Sequence, residues 1–121
     1  MYQFYFEKSE VWQNARKLVK EGYIVTQSFP ENEKFGITNQ IRRSTTSITA
    51  NIAEGFSRKS DKDKSRFLNI AFGSTIEVIN FLILSNDLEF LNNEDYINLR
   101  DQSEYISNQI NSSYKSISVK S

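Results

Sequence analysis

The 121-residue chain contains no cysteine and no histidine. Those two absences exclude disulfides, thiol nucleophiles, thiolate or imidazole metal sites and histidine acid–base chemistry together. A structural zinc site is excluded with them, and no loop motif supports a carboxylate site for Mg²⁺ or Ca²⁺. One proline and four glycines in the whole chain leave few turn signals and point to long regular elements. No apolar run reads as the roughly 20 residues of a membrane span, and the aromatic start, Met1 to Phe6, lacks a basic region followed by an apolar signal core. A cytoplasmic protein of one domain, residues 1–121, without membrane contact, is the expectation.

Fifteen basic and fifteen acidic residues cancel, but unevenly along the chain. Between Thr38 and Arg66 there are seven basic residues against three acidic ones; between Asn86 and Asn111 there is one basic residue, Arg100, against six acidic ones. A neutral total hides a basic middle and an acidic C-terminal third.

Apolar periodicity places four long helices. The first, about 9–28, starts at Ser9 as N-cap and carries Val11, Ala15, Leu18, Gly22 and Val25 on one stripe, ending before Pro30. The second, about 38–56, is rich in β-branched residues, but Ile41, Ile48 and Ile52 follow the helical period, and Gly55 is placed to end it. The third, about 61–85, has Ser60 and Asp63 as an N-cap pair. Its polar residues Arg66, Asn69, Gly73, Glu77 and Asn80 fall within an arc of about 80°. The apolar remainder is about twice as wide as one core face requires and argues for a second buried surface. The fourth, about 93–117, begins at Asn92 or Asn93 and carries Leu99, Ile106, Ile110 and Ile117, with residues 118–121 expected to fray. The N-terminal aromatics Tyr2, Phe4, Tyr5 and Phe6 are too apolar for a free tail and are expected to dock. Short links between long helices predict an all-α, antiparallel up-down-up-down four-helix bundle.

Four segments, E-V-W-Q-N-A-R-K-L-V (Glu10 to Val19), F-P-E-N-E-K-F-G-I-T-N-Q-I-R-R (Phe29 to Arg43), S-I-T-A-N-I-A-E-G (Ser47 to Gly55) and R-F-L-N-I-A-F-G-S-T-I-E (Arg66 to Glu77), resemble the four-helix-bundle family named for proteins encoded in 23S rRNA intervening sequences. Many members of that family carry proline where this chain has Thr49. The resemblance implies a homopentameric ring of bundles, kinship with accessory proteins of diversity-generating retroelements that engage nucleic acid and a reverse transcriptase, and no enzymatic activity.

Three groups of residues carry candidate function. Arg42, Arg43, Arg58, Lys59, Lys62, Lys64 and Arg66 form a basic set suited to phosphate contact with RNA or DNA, since backbone neutralisation by Lys and Arg supplies most of that affinity. The competing reading is a solvated helix elbow, partly neutralised by Asp61 and Asp63, in a chain whose pI of about 6.3 lacks a basic footprint. Asn51, Glu54 and Glu77 are candidates for fixing helix register or a subunit contact. A hairpin turning at Arg58 and Lys59 sets Asn51 level with Arg66, and Arg42 and Arg43 near Glu77. The carboxylates Glu89, Glu94, Asp95, Asp101 and Glu104 are read as a solvated acidic surface, because a di-metal bundle needs inward histidines. Ser47 and Ser74 have no activating partner and read as small residues that allow close packing. No nucleophile–base pair or phosphate-cradling glycine loop is present, so neither enzymatic activity nor a cofactor is expected. Two functions remain open: an oligomeric scaffold that binds nucleic acid at the elbow, or an assembly module that binds proteins alone.

Overall fold

The computed structural model describes residues 1–120, with side chains through Ile117. The expected fraying at 118–121 lies outside the residues whose side chains are described. Five α-helices and a single 3-10 turn make up the described residues, with no strands: α1 (Tyr5–Lys8), α2 (Glu10–Thr26), the 3-10 turn Glu31–Glu33, α3 (Ile37–Ser57), α4 (Asp61–Asp87) and α5 (Asn93–Lys120). Helices α2 and α4 each pack against both α3 and α5, as in a bundle.

Local chemistry explains the helix boundaries. Ser9 accepts a hydrogen bond from the Trp12 N–H and starts α2. The Ser60 hydroxyl accepts from the Asp63 N–H at 3.1 Å and starts α4. Asn92 caps α5, its side-chain oxygen 2.7 Å from the Asp95 N–H. Each cap satisfies a donor that the first helical turn leaves without a partner. In the β-branched helix α3 the hydroxyls find partners within the helix itself. Ser44, Thr45, Thr46 and Thr49 donate their hydroxyls to carbonyls three or four residues back, so even the buried Ser44 and Thr45 leave no unpaired donor. Its stripe of Ile41, Ile48 and Ile52 is buried in the core with Leu18, Leu68, Leu82, Leu99 and Ile106.

Gly55 does not end α3, which continues to Ser57. The glycine is buried at the approach of α4, where a Cβ would stand 3.3 Å from the Phe67 Cβ and 3.4 Å from the Lys64 carbonyl oxygen. Nearer the middle of α3, the Ser47 and Ser74 hydroxyls share a hydrogen bond at 2.7 Å. These two contacts show α3 and α4 running back along each other. They also correct the expected register, bringing Asn51 level with Ile70, one turn beyond Arg66.

By length and composition α4 is apolar enough to cross a membrane, which corrects the expectation that no segment is. Its buried residues Leu68, Ala71, Ser74, Thr75, Val78, Leu82 and Ser85 make one face against α3 and α5. Ile70, Ile76, Ile83 and Leu84 stay exposed on the rest. The apolar arc is therefore wider than the single chain covers.

The N-terminal aromatics dock only in part. The Phe6 ring meets Trp12 edge-on at 5.1 Å and the Tyr5 ring meets Phe56 at 5.5 Å, whereas Tyr2, Phe4 and Tyr5 remain largely exposed. The Glu7 carboxylate accepts from the Phe4 N–H at 2.7 Å and holds the segment as one helical turn.

Candidate nucleic-acid interface

The elbow between α3 and α4 is short. Arg58 leaves the helix in extended backbone geometry, and Ser60 starts the next helix. This brevity gathers the cations from Arg58 to Arg66 at one end of the α3–α4 pair. Arg58 forms an ion pair with Glu54 one turn back. Its guanidinium lies 4.8 Å from the Phe67 ring centroid, and that of Arg66 lies 5.1 Å from the same centroid. Phe67 therefore orients two arginines, each by a cation–ring attraction of about 0.5–1 kcal/mol at an exposed site.

Lys59, Lys62 and Arg66 are exposed, Lys64 is half-buried, and none of the four makes an ion pair among the described residues. Asp61 and Asp63, expected to neutralise them, make no ion pair among those residues either; both sit in the first turn of α4, where a carboxylate favours the helix dipole. The elbow thus presents cations that no carboxylate holds in place.

Arg42 and Arg43 are elsewhere. Arg42 precedes Arg58 by about 24 Å of helical rise. It donates to the Thr26 hydroxyl at 3.0 Å and to the Tyr23 carbonyl at 3.4 Å, and its guanidinium lies 4.6 Å from the Tyr23 ring centroid. It ties α3 to α2. Arg43 is exposed at the same level of the helix. The basic set is therefore two groups, and the elbow group consists of Arg58, Lys59, Lys62, Lys64 and Arg66.

The register candidates also separate. Asn51 donates to the Ser47 carbonyl at 2.8 Å and to the Ser47 hydroxyl at 3.1 Å, and Ser47 in turn meets Ser74. Asn51 thus belongs to a three-residue polar link between α3 and α4. Glu54 pairs with Arg58. Glu77 is exposed and, with Ile70, Gly73, Ser74, Ile76 and Asn80, lines a shallow depression on α4. Small size explains why Ser47 and Ser74 fit between the helices, but their hydrogen bond depends on a pairing across 27 residues that no local pattern announces.

On α5, Glu104 lies 3.7 Å from Arg100, which donates to the Tyr96 hydroxyl at 2.6 Å. That hydrogen bond raises the Arg100 pKa above its usual value. The Tyr105 hydroxyl donates to Glu10 at 3.2 Å, linking α5 to α2 and raising the phenol pKa for the same reason.

The chain matches the family model described as 23S rRNA-intervening sequence protein over residues 7–112. No curated protein matches it. Among solved structures it is similar to a protein of unknown function from the S23 ribosomal protein family of Bacteroides thetaiotaomicron VPI-5482. The two are 29% identical with a TM-score of 0.79, over 87% of this chain and 98% of that one.

Proposed function

The chain belongs to the 23S rRNA-intervening sequence protein family, and from that premise we propose that it is a non-enzymatic, self-assembling up-down-up-down helical bundle that binds RNA or DNA through the α3–α4 elbow. The observation that carries the reading is the elbow itself, where Lys59, Lys62, Lys64 and Arg66 have no carboxylate partner among the described residues. Unpaired cations on a short turn bind phosphates without first breaking internal ion pairs. RNA is the first ligand to try, given the family's name, in the cytoplasm where such RNA is found.

The double variant Lys59→Ala/Lys62→Ala is expected to weaken binding of a mixed RNA and DNA pool in a low-salt fluorescence anisotropy titration. The slope of log K against log salt should flatten by about 0.9 for each duplex phosphate that the variant leaves unneutralised. A wild-type protein that shifts neither nucleic acid at low salt would overturn the reading.

Self-assembly is supported by the outer face of α4. Ile70 and Ile76 are 44% and 48% exposed there. Between them Gly73 has nothing within 4 Å of where a Cβ would stand. A mid-helix glycine costs about 1 kcal/mol relative to alanine, and no contact among the described residues requires it. A second copy approaching closely would give it a role and bury both isoleucines. The family resemblance sets the proposed stoichiometry at five, and a ring of five elbows adds modest patches into one multivalent rim. Ile70→Asp/Ile76→Asp is expected to reduce the assembly to monomer in light scattering with an unchanged helical circular dichroism spectrum. A wild-type monomer at micromolar concentration would remove the assembly. The same apolar face favours the second reading, a module that binds only proteins; purified protein free of absorbance at 260 nm beyond its own, together with no nucleic-acid shift, would select it.

A further inference from the structure

The elbow shares its end of the molecule with a feature that phosphate binding does not use. Phe56, two residues before Arg58, has the Tyr5 ring against it at 5.5 Å, the planes inclined at 69°. These two rings, with Lys64 of α4 and Ser112, Ser113 and Ser116 of α5, line a cleft of about 550 Å³. A second cleft of about 510 Å³ shares Tyr5, Phe56, Ser112 and Ser113 with it and continues toward Glu10 and Tyr105.

Three properties come together in this cleft. Tyr5 is 71% exposed, and its hydroxyl makes no hydrogen bond among the described residues. The three serine hydroxyls are unengaged among those residues too, whereas Ser44, Thr45, Thr75, Ser85 and Ser103 all donate back to their own helices. Lys64 has no carboxylate partner there. The carboxylate of the adjoining cleft, Glu10, is occupied by the Tyr105 hydroxyl. Among the described residues, an aromatic surface, unengaged hydroxyls and one cation therefore meet in one cleft.

We infer that this cleft binds an unpaired nucleotide of single-stranded RNA or DNA, its base stacked on Tyr5 against the Phe56 wall, its phosphate on Lys64 and its polar edges on the α5 serines. The inference rests on the elbow reading above and names the form of nucleic acid that the same end of the molecule prefers. The chemistry selects single strands because stacking on an aromatic ring requires a base whose face is free. A duplex keeps its bases stacked on one another and offers such a surface mainly phosphates. The strand would run from the elbow lysines, which hold its backbone, into the cleft beside them.

The test compares a fluorescently labelled oligouridine with an RNA duplex of equal length, titrated against wild type, Tyr5→Ala, Tyr5→Phe and Lys59→Ala/Lys62→Ala. Tyr5→Ala is expected to weaken oligouridine binding about tenfold, within the range for loss of one stacked base. Duplex affinity and the salt slope should not change, and Tyr5→Phe should retain wild-type affinity. The lysine pair is expected to weaken both ligands. Photocrosslinking of a 4-thiouridine oligomer to the peptide containing Tyr5 would support the site directly. If the lysine variant weakens both ligands while Tyr5→Ala changes neither, or both equally, the cleft inference is overturned and the elbow reading stands. If wild type binds neither ligand, both are overturned.

Discussion

Ile48→Ala is expected to destabilise the protein by about 3–4 kcal/mol, the middle of the range for removing most of a fully buried isoleucine and leaving a cavity behind. Ile48 has no exposed surface and sits midway along α3, the helix whose stripe meets α2 and α4. Because α3 is rich in serine and threonine, it has little intrinsic tendency to stay helical, and tertiary packing of that stripe holds it in place. For a chain of this size the loss corresponds to a fall in Tm on the order of 10–15 °C, a large share of a stability that is typically 5–15 kcal/mol. Chemical denaturation should show the same change in midpoint with little change in slope. Ile76→Ala removes the same atoms from an exposed site on α4, so its effect on the isolated chain should stay within about 0.5 kcal/mol. A denaturation of the monomeric chain in which the two variants lose equal stability would contradict the assignment of Ile48 to the core.

The second large effect is expected at Gly55. Gly55→Leu should cost about 3 kcal/mol, the upper part of the usual range for overpacking. The added carbons would enter space held by the Phe67 Cβ, the Lys64 carbonyl and the Leu68 side chain, all within 3.5 Å of the first of them. A carbonyl in a helix backbone cannot turn aside as a side chain can, so α4 itself must move. That movement would also displace Phe67, on which Arg58 and Arg66 rest, and elbow binding should weaken together with stability. Gly22→Ala supplies the contrast. Its Cβ would meet the methyls of Thr45 and Ile41 at 3.7 and 3.8 Å, ordinary contact. There the better helix propensity of alanine should dominate, with a gain of about 0.5–1 kcal/mol. Urea titrations of the two variants should move in opposite directions.

Glycine also shows where reading the sequence reaches its limit. Gly55 lies near the end of an apolar stripe, and the local rule assigns such a glycine to helix termination. The helix runs on to Ser57 because the position is defined by Phe67 on the next helix, which local pattern does not contain. The basic set divides for a related reason. Arg42 and Arg58 are close in the sequence, but a straight helix between them carries the first about 24 Å from the elbow, where Tyr23 and Thr26 bind it. Counting back from a hairpin at Arg58 and Lys59 misplaces Asn51 by one turn. Register depends instead on where α3 and α4 come together, at Gly55 and between Ser47 and Ser74.

The helices themselves are largely legible, since their signals are local. The expected spans 9–28, 38–56, 61–85 and 93–117 correspond to Glu10–Thr26, Ile37–Ser57, Asp61–Asp87 and Asn93–Lys120. Ser9, Ser60 and Asn92 cap where their side chains reach the backbone of the next turn, an interaction that needs no partner from elsewhere in the chain. The excess apolar arc of α4 is likewise readable, because 100° per residue is a property of the helix alone.

What the sequence by itself determined was therefore the four long helices, the caps that start three of them and the presence of a second apolar face on α4, all consequences of interactions within about four residues. Tertiary structure alone decided which charges are neighbours, which glycine accommodates another helix, and that Tyr5, Phe56, Lys64 and Ser113 share one cleft. Tyr5 and Ser113 belong to opposite ends of the chain, and only the packing of helices over the buried isoleucines of α3 brings them to the walls of one cleft.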